Sequence, residues 1–121
     1  MGETGQKSIL IVDDDAVVLR TMKEGLSDTY RVYGANSGTN AMRILEKKEI
    51  DLILLDYEMP EMNGPQVLAE IRRNPSHASV PVFFLTGLQD FDPSEFDVSG
   101  CLLKTLSQEE ILSHIASALS A

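Results

Sequence analysis

Acidic side chains at the ends of two apolar runs are the first candidates for chemistry in this chain. Asp13, Asp14 and Asp15 follow the run ILIV, and Asp56 ends the run IDLILL. Several carboxylates within a few ångströms repel one another unless protons or a cation intervene. Mg²⁺ prefers hard oxygen ligands, takes one or two carboxylates directly and keeps waters that a phosphate oxygen can replace. If the fold brings these residues together, they favour a magnesium site.

Two later apolar runs also end in a polar residue, because Thr86 follows VPVFFL and Lys104 follows GCLL. A carboxylate can act as a nucleophile toward phosphorus and give an aspartyl phosphate. Phosphoryl transfer needs mainly positioning and charge stabilisation, for which a metal, a lysine and a hydroxyl suffice. The polar ends of these runs therefore indicate phosphoryl chemistry at a carboxylate.

The elements that must position these residues follow from the pattern of apolar residues. Strand-length apolar runs alternate with segments of helical period. The predicted strands are 8–12, 30–35, 50–56, 80–86 and 100–104, and the predicted helices are 17–26, 39–48, 65–74 and 109–119. Strands that are apolar throughout are buried on both faces, so the alternation predicts an α/β fold with a parallel sheet. Right-handed crossovers favour a doubly wound five-stranded sheet in the order 2-1-3-4-5.

In such a sheet, ligands bind beyond the carboxyl ends of the strands, where the strand order reverses. That point lies between the first and third strands, so the polar residues that end four strands are expected to meet there. Each also has a plain structural alternative: an aspartate can cap the next helix, which we favour for Asp15. Asp56 alone could be a turn residue, Thr86 a strand former and Lys104 a solvated charge. Because all of these residues are expected at the same edge of the sheet, a functional site is favoured over the separate structural alternatives.

Composition excludes several classes of function. The 121 residues fit one domain, expected at 8–121 after a flexible N-terminus at 1–7. Ten basic and nineteen acidic residues give a net charge of −9, which argues against a nucleic-acid surface. A single cysteine excludes an internal disulfide and fits a reducing compartment. Without a signal peptide or a membrane-spanning run, a cytoplasmic protein with no membrane contact is expected.

Four motifs resemble the receiver domains of two-component response regulators, of which the chemotaxis regulators are single-domain examples. DYEMPEMNG (56–64) is similar to the family's acceptor-Asp, Met-Pro and Gly pattern. ILIVDDD (9–15), FFLTG and CLLK resemble its other signatures in the correct order and spacing. The resemblance runs roughly from Ser8 to Leu119 and implies a flavodoxin-like receiver fold.

The resemblance also implies a metal site and a phosphoacceptor. The metal would be Mg²⁺ (or Mn²⁺), held by Asp13, Asp14, Asp56 and the backbone carbonyl of Glu58, directly or through water. Asp56 would accept the phosphoryl group. Thr86 and Lys104 would each bind one phosphoryl oxygen.

The partners implied are a histidine kinase or phosphotransfer protein and, downstream, a protein target or a separate output domain. A receiver of this kind is not an enzyme beyond its own phosphorylation and dephosphorylation. It signals by changing conformation.

Three departures from the family pattern concern the output face. Thr105 follows Lys104 where the family usually has a cis proline, so we predict a trans peptide, the form a non-proline residue strongly prefers. Cys101 stands where the family often has an aromatic residue that rotates on activation. Between 86 and 100, weak helical period and Pro93 predict a short or degenerate fourth helix.

Two other functions, a phosphohydrolase and a pseudo-receiver, would also fit part of this pattern. A phosphohydrolase of the haloacid-dehalogenase type would need a second aspartate two residues after the nucleophile, but that residue is Glu58. A pseudo-receiver, an interaction module independent of phosphorylation, is the alternative that the altered output face favours. A pseudo-receiver would have no need for all five site residues, which are Asp13, Asp14, Asp56, Thr86 and Lys104. His77 and His114 are interpreted as surface residues.

Overall fold

The computed structural model describes residues 6–88 and 91–120, and its elements begin and end within two residues of the predicted ones. The strands are Ser8–Val12 (β1), Arg31–Ala35 (β2), Leu52–Asp56 (β3), Val82–Thr86 (β4) and Gly100–Leu103 (β5). The helices are Ala16–Leu26 (α1), Gly38–Lys47 (α2), Gly64–Arg73 (α3) and Gln108–Ser120 (α4). Of the N-terminus expected to be flexible, residues 1–5 lie outside the described residues.

The five strands are parallel and form one sheet in the predicted order β2-β1-β3-β4-β5. Successive side chains of a strand point to opposite faces, so the apolar strands supply two cores. One core joins alternate sheet residues to α1 and α4, and the other joins the remaining sheet residues to α2 and α3. The predicted sheet with helices on both faces is confirmed.

The alternation of side chains decides which polar residues can meet at the carboxyl edge. Ile9 and Ile11 on β1, Leu54 on β3 and Leu102 on β5 all belong to the core beneath α1 and α4. Two residues further along each strand, the same alternation reaches positions 13, 56 and 104. These three polar side chains therefore leave the sheet on the same face.

Local sequence fixes where the helices beside this edge begin. Asp15 is the N-cap of α1 and its carboxylate accepts from the amides of Val17 and Val18, as predicted. Asn63 and Gln66 form a capping box at the start of α3, which satisfies two free amides reciprocally. A Cβ on Gly64 would lie 2.6 Å from the Asp56 carbonyl oxygen, so only glycine lets α3 approach β3 this closely.

Among the described residues of the connection between β4 and β5, the helical structure is one short turn of 3₁₀ helix, Pro93–Glu95, which confirms the degenerate fourth helix. Asp92 caps this turn by accepting from the amide of Ser94. The peptide between Lys104 and Thr105 is trans, as predicted. In the described part of the chain, no helix has the length and apolar character required to cross a bilayer.

Candidate functional site

Three charged side chains meet at the carboxyl edge of the sheet. Lys104 Nζ lies 3.1 Å from Asp13 Oδ2 and 3.1 Å from Asp56 Oδ1. Asp13 is fully buried and Asp56 is 2% exposed, whereas the Lys104 side chain is 29% exposed. One ammonium thus faces two buried carboxylates, which leaves the group with an excess negative charge.

Only one of the two carboxylate oxygens of Asp13 accepts a hydrogen bond from its neighbours. Its Oδ1 accepts from the amide of Asp15 at 2.9 Å. Its buried Oδ2 has the Lys104 ammonium beside it, in a contact whose geometry is not that of a hydrogen bond. Buried polar atoms normally have a hydrogen-bond partner, so an oxygen of this kind calls for a further ligand. A carboxylate oxygen with free lone pairs is a suitable ligand for a hard cation such as Mg²⁺.

The donor set fits a divalent cation. Asp13, Asp14 and Asp56 each offer a carboxylate oxygen, and these oxygens lie within 4.8 Å of one another. Asp14 is exposed and takes part in none of the side-chain hydrogen bonds or ion pairs found in the described chain, so its carboxylate is available. Three oxygen donors, one of them open to solvent, match the preference of Mg²⁺ for carboxylates together with retained water.

The surroundings of Asp56 make it a weaker acid than usual. Burial, followed by the negative charge of Asp13, raises the pKa of Asp56 from 3.8 to about 6. Lys104 and the Glu58 amide, which donates to Asp56 Oδ1 at 3.2 Å, oppose that rise. Burial alone would lower the pKa of Lys104, but its contacts with the two carboxylates outweigh burial and raise it. The lysine is therefore cationic at neutral pH, and the Asp56 carboxylate is mostly ionised.

Thr86 lies close by but its hydroxyl is engaged elsewhere. The residue is buried at the end of β4, and its Oγ1 accepts from the amide of Leu88 at 3.0 Å. Thr86 continues the alternation of Val82 and Phe84, which face the core beneath α2 and α3. The structure thus brings together Asp13, Asp14, Asp56 and Lys104. Thr86 ends the adjacent strand β4, and its hydroxyl is bonded within its own loop. The Glu58 carbonyl stays a predicted metal ligand.

Comparison with known proteins decides the family. A family model of the response regulator receiver domain matches residues 9–116. The chain belongs to this family.

Relatives and solved structures agree with this assignment. Over 87 residues, the receiver is 46% identical to a probable cyclic di-GMP phosphodiesterase of Vibrio cholerae, an alignment that covers 72% of the chain and 20% of that relative. A signal receiver domain of an HD domain-containing protein from Pseudomonas fluorescens matches with a TM-score of 0.86 and 29% identity, covering 96% of each chain. The receiver domain of a Pseudomonas aeruginosa sensor histidine kinase, solved with magnesium in its active-site cleft, has a TM-score of 0.85 and 26% identity, covering 97% of this chain and all of that one.

The receiver accounts for only part of the curated proteins it matches. It spans 20% of the length of the phosphodiesterase from Vibrio cholerae. It spans 50% of a second relative, a probable transcriptional regulator of Pyropia yezoensis.

An aromatic cluster beside the receiver site was not foreseen from the sequence. The ring of Tyr57, which follows Asp56, lies 4.4 Å from the Phe91 ring and 5.3 Å from the Phe84 ring, centroid to centroid. Phe96 stands 5.2 Å from Phe84, edge to face. Cys101 packs at the same cluster, with Sγ 3.8 Å from the Phe91 carbonyl oxygen. The available signal was the presence of two phenylalanines in the otherwise mostly polar stretch 87–99.

Asp14 and Asp15 provide a matched pair for testing the metal site. Asp14→Ala is expected to weaken Mg²⁺ binding by roughly tenfold or more, a loss of the size seen when groups that support a metal are removed. It should leave the metal-free protein at least as stable, because an exposed carboxylate without a partner only adds repulsion. Asp15→Ala is expected to lower the free energy of unfolding by about 0.5–2 kcal/mol through loss of the N-cap.

Titration with Mg²⁺ and thermal melting in a chelator check both expectations. Asp15→Ala should retain most of the Mg²⁺ affinity. A clearly lower melting temperature of metal-free Asp14→Ala would show that Asp14 acts mainly as a structural residue.

Proposed function

We propose that this receiver accepts a phosphoryl group on Asp56 from a histidine kinase or a phosphotransfer protein, in a reaction that depends on Mg²⁺. The observation that carries the proposal is the buried Asp56 carboxylate, 3.1 Å from the Lys104 ammonium and within 4.8 Å of two further carboxylates. Such a group is poorly satisfied as a structural ion pair, because three negative charges face one positive charge. It is well suited to a cation and a phosphoryl group.

The chemistry assigned to Asp56 is one displacement at phosphorus. A carboxylate oxygen of Asp56 forms a bond to phosphorus while the bond from phosphorus to the donor's histidine nitrogen breaks, and that nitrogen leaves with the electron pair. Even in the metal-free protein, where burial and Asp13 raise the pKa of Asp56 to about 6, the carboxylate is mostly ionised at neutral pH and can act as the nucleophile. When bound, Mg²⁺ would supply positive charge against the phosphoryl oxygens.

Other residues around Asp56 take supporting parts in the proposal. Asp13, Asp14, Asp56 and the Glu58 carbonyl would hold the metal. The Lys104 ammonium, already beside Asp56, would pair with one phosphoryl oxygen. The Thr86 hydroxyl would turn from Leu88 and donate a hydrogen bond to another phosphoryl oxygen. The backbone at the end of β4 then has to adjust, and that adjustment is the proposed conformational signal.

The proposed recipient of the signal is a downstream protein or an output domain. The alignment with a probable cyclic di-GMP phosphodiesterase supports an output domain as one arrangement in which such a receiver is used. The net charge of −9 gives no support to nucleic acid as a direct partner. We propose no catalysis beyond the receiver's own phosphorylation and dephosphorylation.

Beryllofluoride, which mimics a phosphoryl group, tests whether the receiver responds at Asp56. With Mg²⁺ present, we expect backbone NMR signals to shift mainly in residues 57–63 and 86–98, of which 89 and 90 lie outside the described residues. These segments follow β3 and β4 and lie next to the acceptor. Asp56→Asn should show no response. Unchanged spectra of the unsubstituted receiver would support the pseudo-receiver alternative. Changes concentrated in residues 107–119 would show that the final helix carries the output.

A further inference from the structure

Arg72, near the C-terminal end of α3, joins two separate backbone segments. Its Nη1 donates to the carbonyl oxygens of His77, Ala78 and Val80, at 3.2, 3.3 and 2.7 Å. Its Nε and Nη2 donate to the carbonyl oxygen of Asp97, at 3.2 and 2.8 Å, and Nε lies 3.1 Å from Asp97 Oδ2. The Arg72 side chain is only 16% exposed; its bonds to His77 and Val80 are partly buried, whereas its bonds to Ala78 and Asp97 lie at the surface. The guanidinium therefore fastens the end of the β4–β5 connection to α3.

The same connection is held from inside by aromatic contacts. Phe91 packs edge to face on Tyr57, with ring centroids 4.4 Å apart, and Phe96 packs edge to face on Phe84 at 5.2 Å. Phe91 and Phe96 are stacked with each other at 6.3 Å. We call residues 91–98, which carry these rings and Asp97, the clamped segment. Because Tyr57 directly follows Asp56, the clamped segment touches a neighbour of the acceptor.

The connection is tied to the site at a third point. The amide of Leu88 donates to Thr86 Oγ1, and Leu88 itself is exposed. If the Thr86 hydroxyl turns to a phosphoryl oxygen, the Leu88 amide loses its acceptor and residues 87–88 must adjust. With Arg72 fastening Asp97 and Tyr57 holding Phe91, the clamped segment resists that adjustment.

We propose that Arg72 is a positioning residue that holds the clamped segment in its unphosphorylated arrangement, so that modification of Asp56 works against the Arg72 contacts. This inference rests on the proposed function of Asp56. A contact that stabilises one of two states lowers the affinity of any ligand that prefers the other state. Removing the Arg72 contacts should therefore favour the phosphoryl-bound arrangement, although Arg72 lies at the far end of α3 from the acceptor.

The test compares two adjacent arginines of α3. Arg72→Gln is expected to raise the affinity for beryllofluoride with Mg²⁺ by roughly fivefold or more, within the usual range of coupling between sites. It should also speed amide hydrogen exchange in residues 91–98. Arg73→Gln is the matched control, because the Arg73 side chain is 70% exposed and pairs only with Glu70 among the described residues. That variant should change neither quantity.

Two further measurements distinguish the proposed role of Arg72 from a general loss of fold stability. Arg72→Lys keeps the charge but cannot reach both sets of carbonyl oxygens, so it should raise the affinity in the same direction even if Arg72→Gln folds poorly. Because coupling is reciprocal, beryllofluoride should also speed exchange in residues 91–98 of the unsubstituted receiver.

Failure of the inference differs from failure of the proposed function. If the unsubstituted receiver does not bind beryllofluoride, the proposed function fails and the inference fails with it. If it binds, but the Arg72 variants speed exchange with unchanged or lower affinity, Arg72 only stabilises the fold and the inference alone is overturned.

Discussion

Incubated with Mg²⁺ and a small acyl phosphate, the receiver is expected to gain one phosphoryl group, and Asp56→Asn is expected to gain none. An amide nitrogen or oxygen carries no charge and is a far poorer nucleophile than the carboxylate it replaces. Asp56 is 2% exposed and lies 3.1 Å from the Lys104 ammonium, which could pair with an oxygen of a phosphoryl group added there. Intact mass measurement reads the modification directly, and base should remove it, as it removes other acyl phosphates.

Asp28→Asn is the matched control for this experiment, because it makes the same change at an exposed aspartate between α1 and β2. It should be phosphorylated as fully as the unsubstituted receiver. Omission of Mg²⁺ should lower the extent of modification in both. Phosphorylation of Asp56→Asn to the normal extent would remove Asp56 from its proposed role.

Most of the fold could be predicted because a parallel sheet leaves a simple pattern. Its strands are buried on both faces and read as continuous apolar runs, so their positions were visible without knowledge of their pairing. The largest errors in element bounds, two residues each, lie at the starts of β3 and β4, where the apolar residues Ile50 and Val80 precede the ladder. Pro81 has no N–H to donate, and β4 begins at the next residue.

The candidate site could be predicted as a set of strand ends but not in its detailed contacts. The sequence places Asp13, Asp56 and Lys104 at one edge, and alternation within each strand then puts them on one face. Thr86 belongs to the opposite alternation, and its bond to the Leu88 amide depends on the path of the loop. Local sequence carries no signal for that path.

Arg72 shows why other features could not be predicted. Arg72 and Arg73 are adjacent and chemically identical, yet one side chain is 16% exposed and the other 70%. The difference arises because Arg72 contacts carbonyl oxygens of the connection that follows α3 and also the carbonyl oxygen of Asp97, 25 residues along the chain, which only the tertiary structure brings close. The stretch 91–98 is held by rings and by this arginine rather than by a helix, so it has no periodicity to detect.

The metal-free receiver is expected to lose stability as the pH rises from 5 to 8. The folded-state pKa of Asp56, about 6, is above its ordinary value of 3.8, so the folded protein binds this proton more tightly than the unfolded chain does. The resulting stabilisation is complete below about pH 4 and is lost as the pH rises through about 6. At about 1.4 kcal/mol per pKa unit, the whole effect is on the order of 3 kcal/mol, of which roughly 1–2 kcal/mol falls between pH 5 and 8.

Urea unfolding in a chelator at several pH values measures this dependence, and comparison of variants isolates it from the two histidines. Asp56→Asn has no proton to lose at this position, so its free energy of unfolding should fall less over the same range. Asp28→Asn should retain the full dependence, since its site is exposed. Equal slopes for Asp56→Asn and the unsubstituted receiver would mean that Asp56 is ionised throughout. The Lys104 ammonium would then lower the pKa of Asp56 by more than burial and Asp13 together raise it. The repulsion between the two carboxylates would be largely neutralised without a bound cation, contrary to what their geometry indicates.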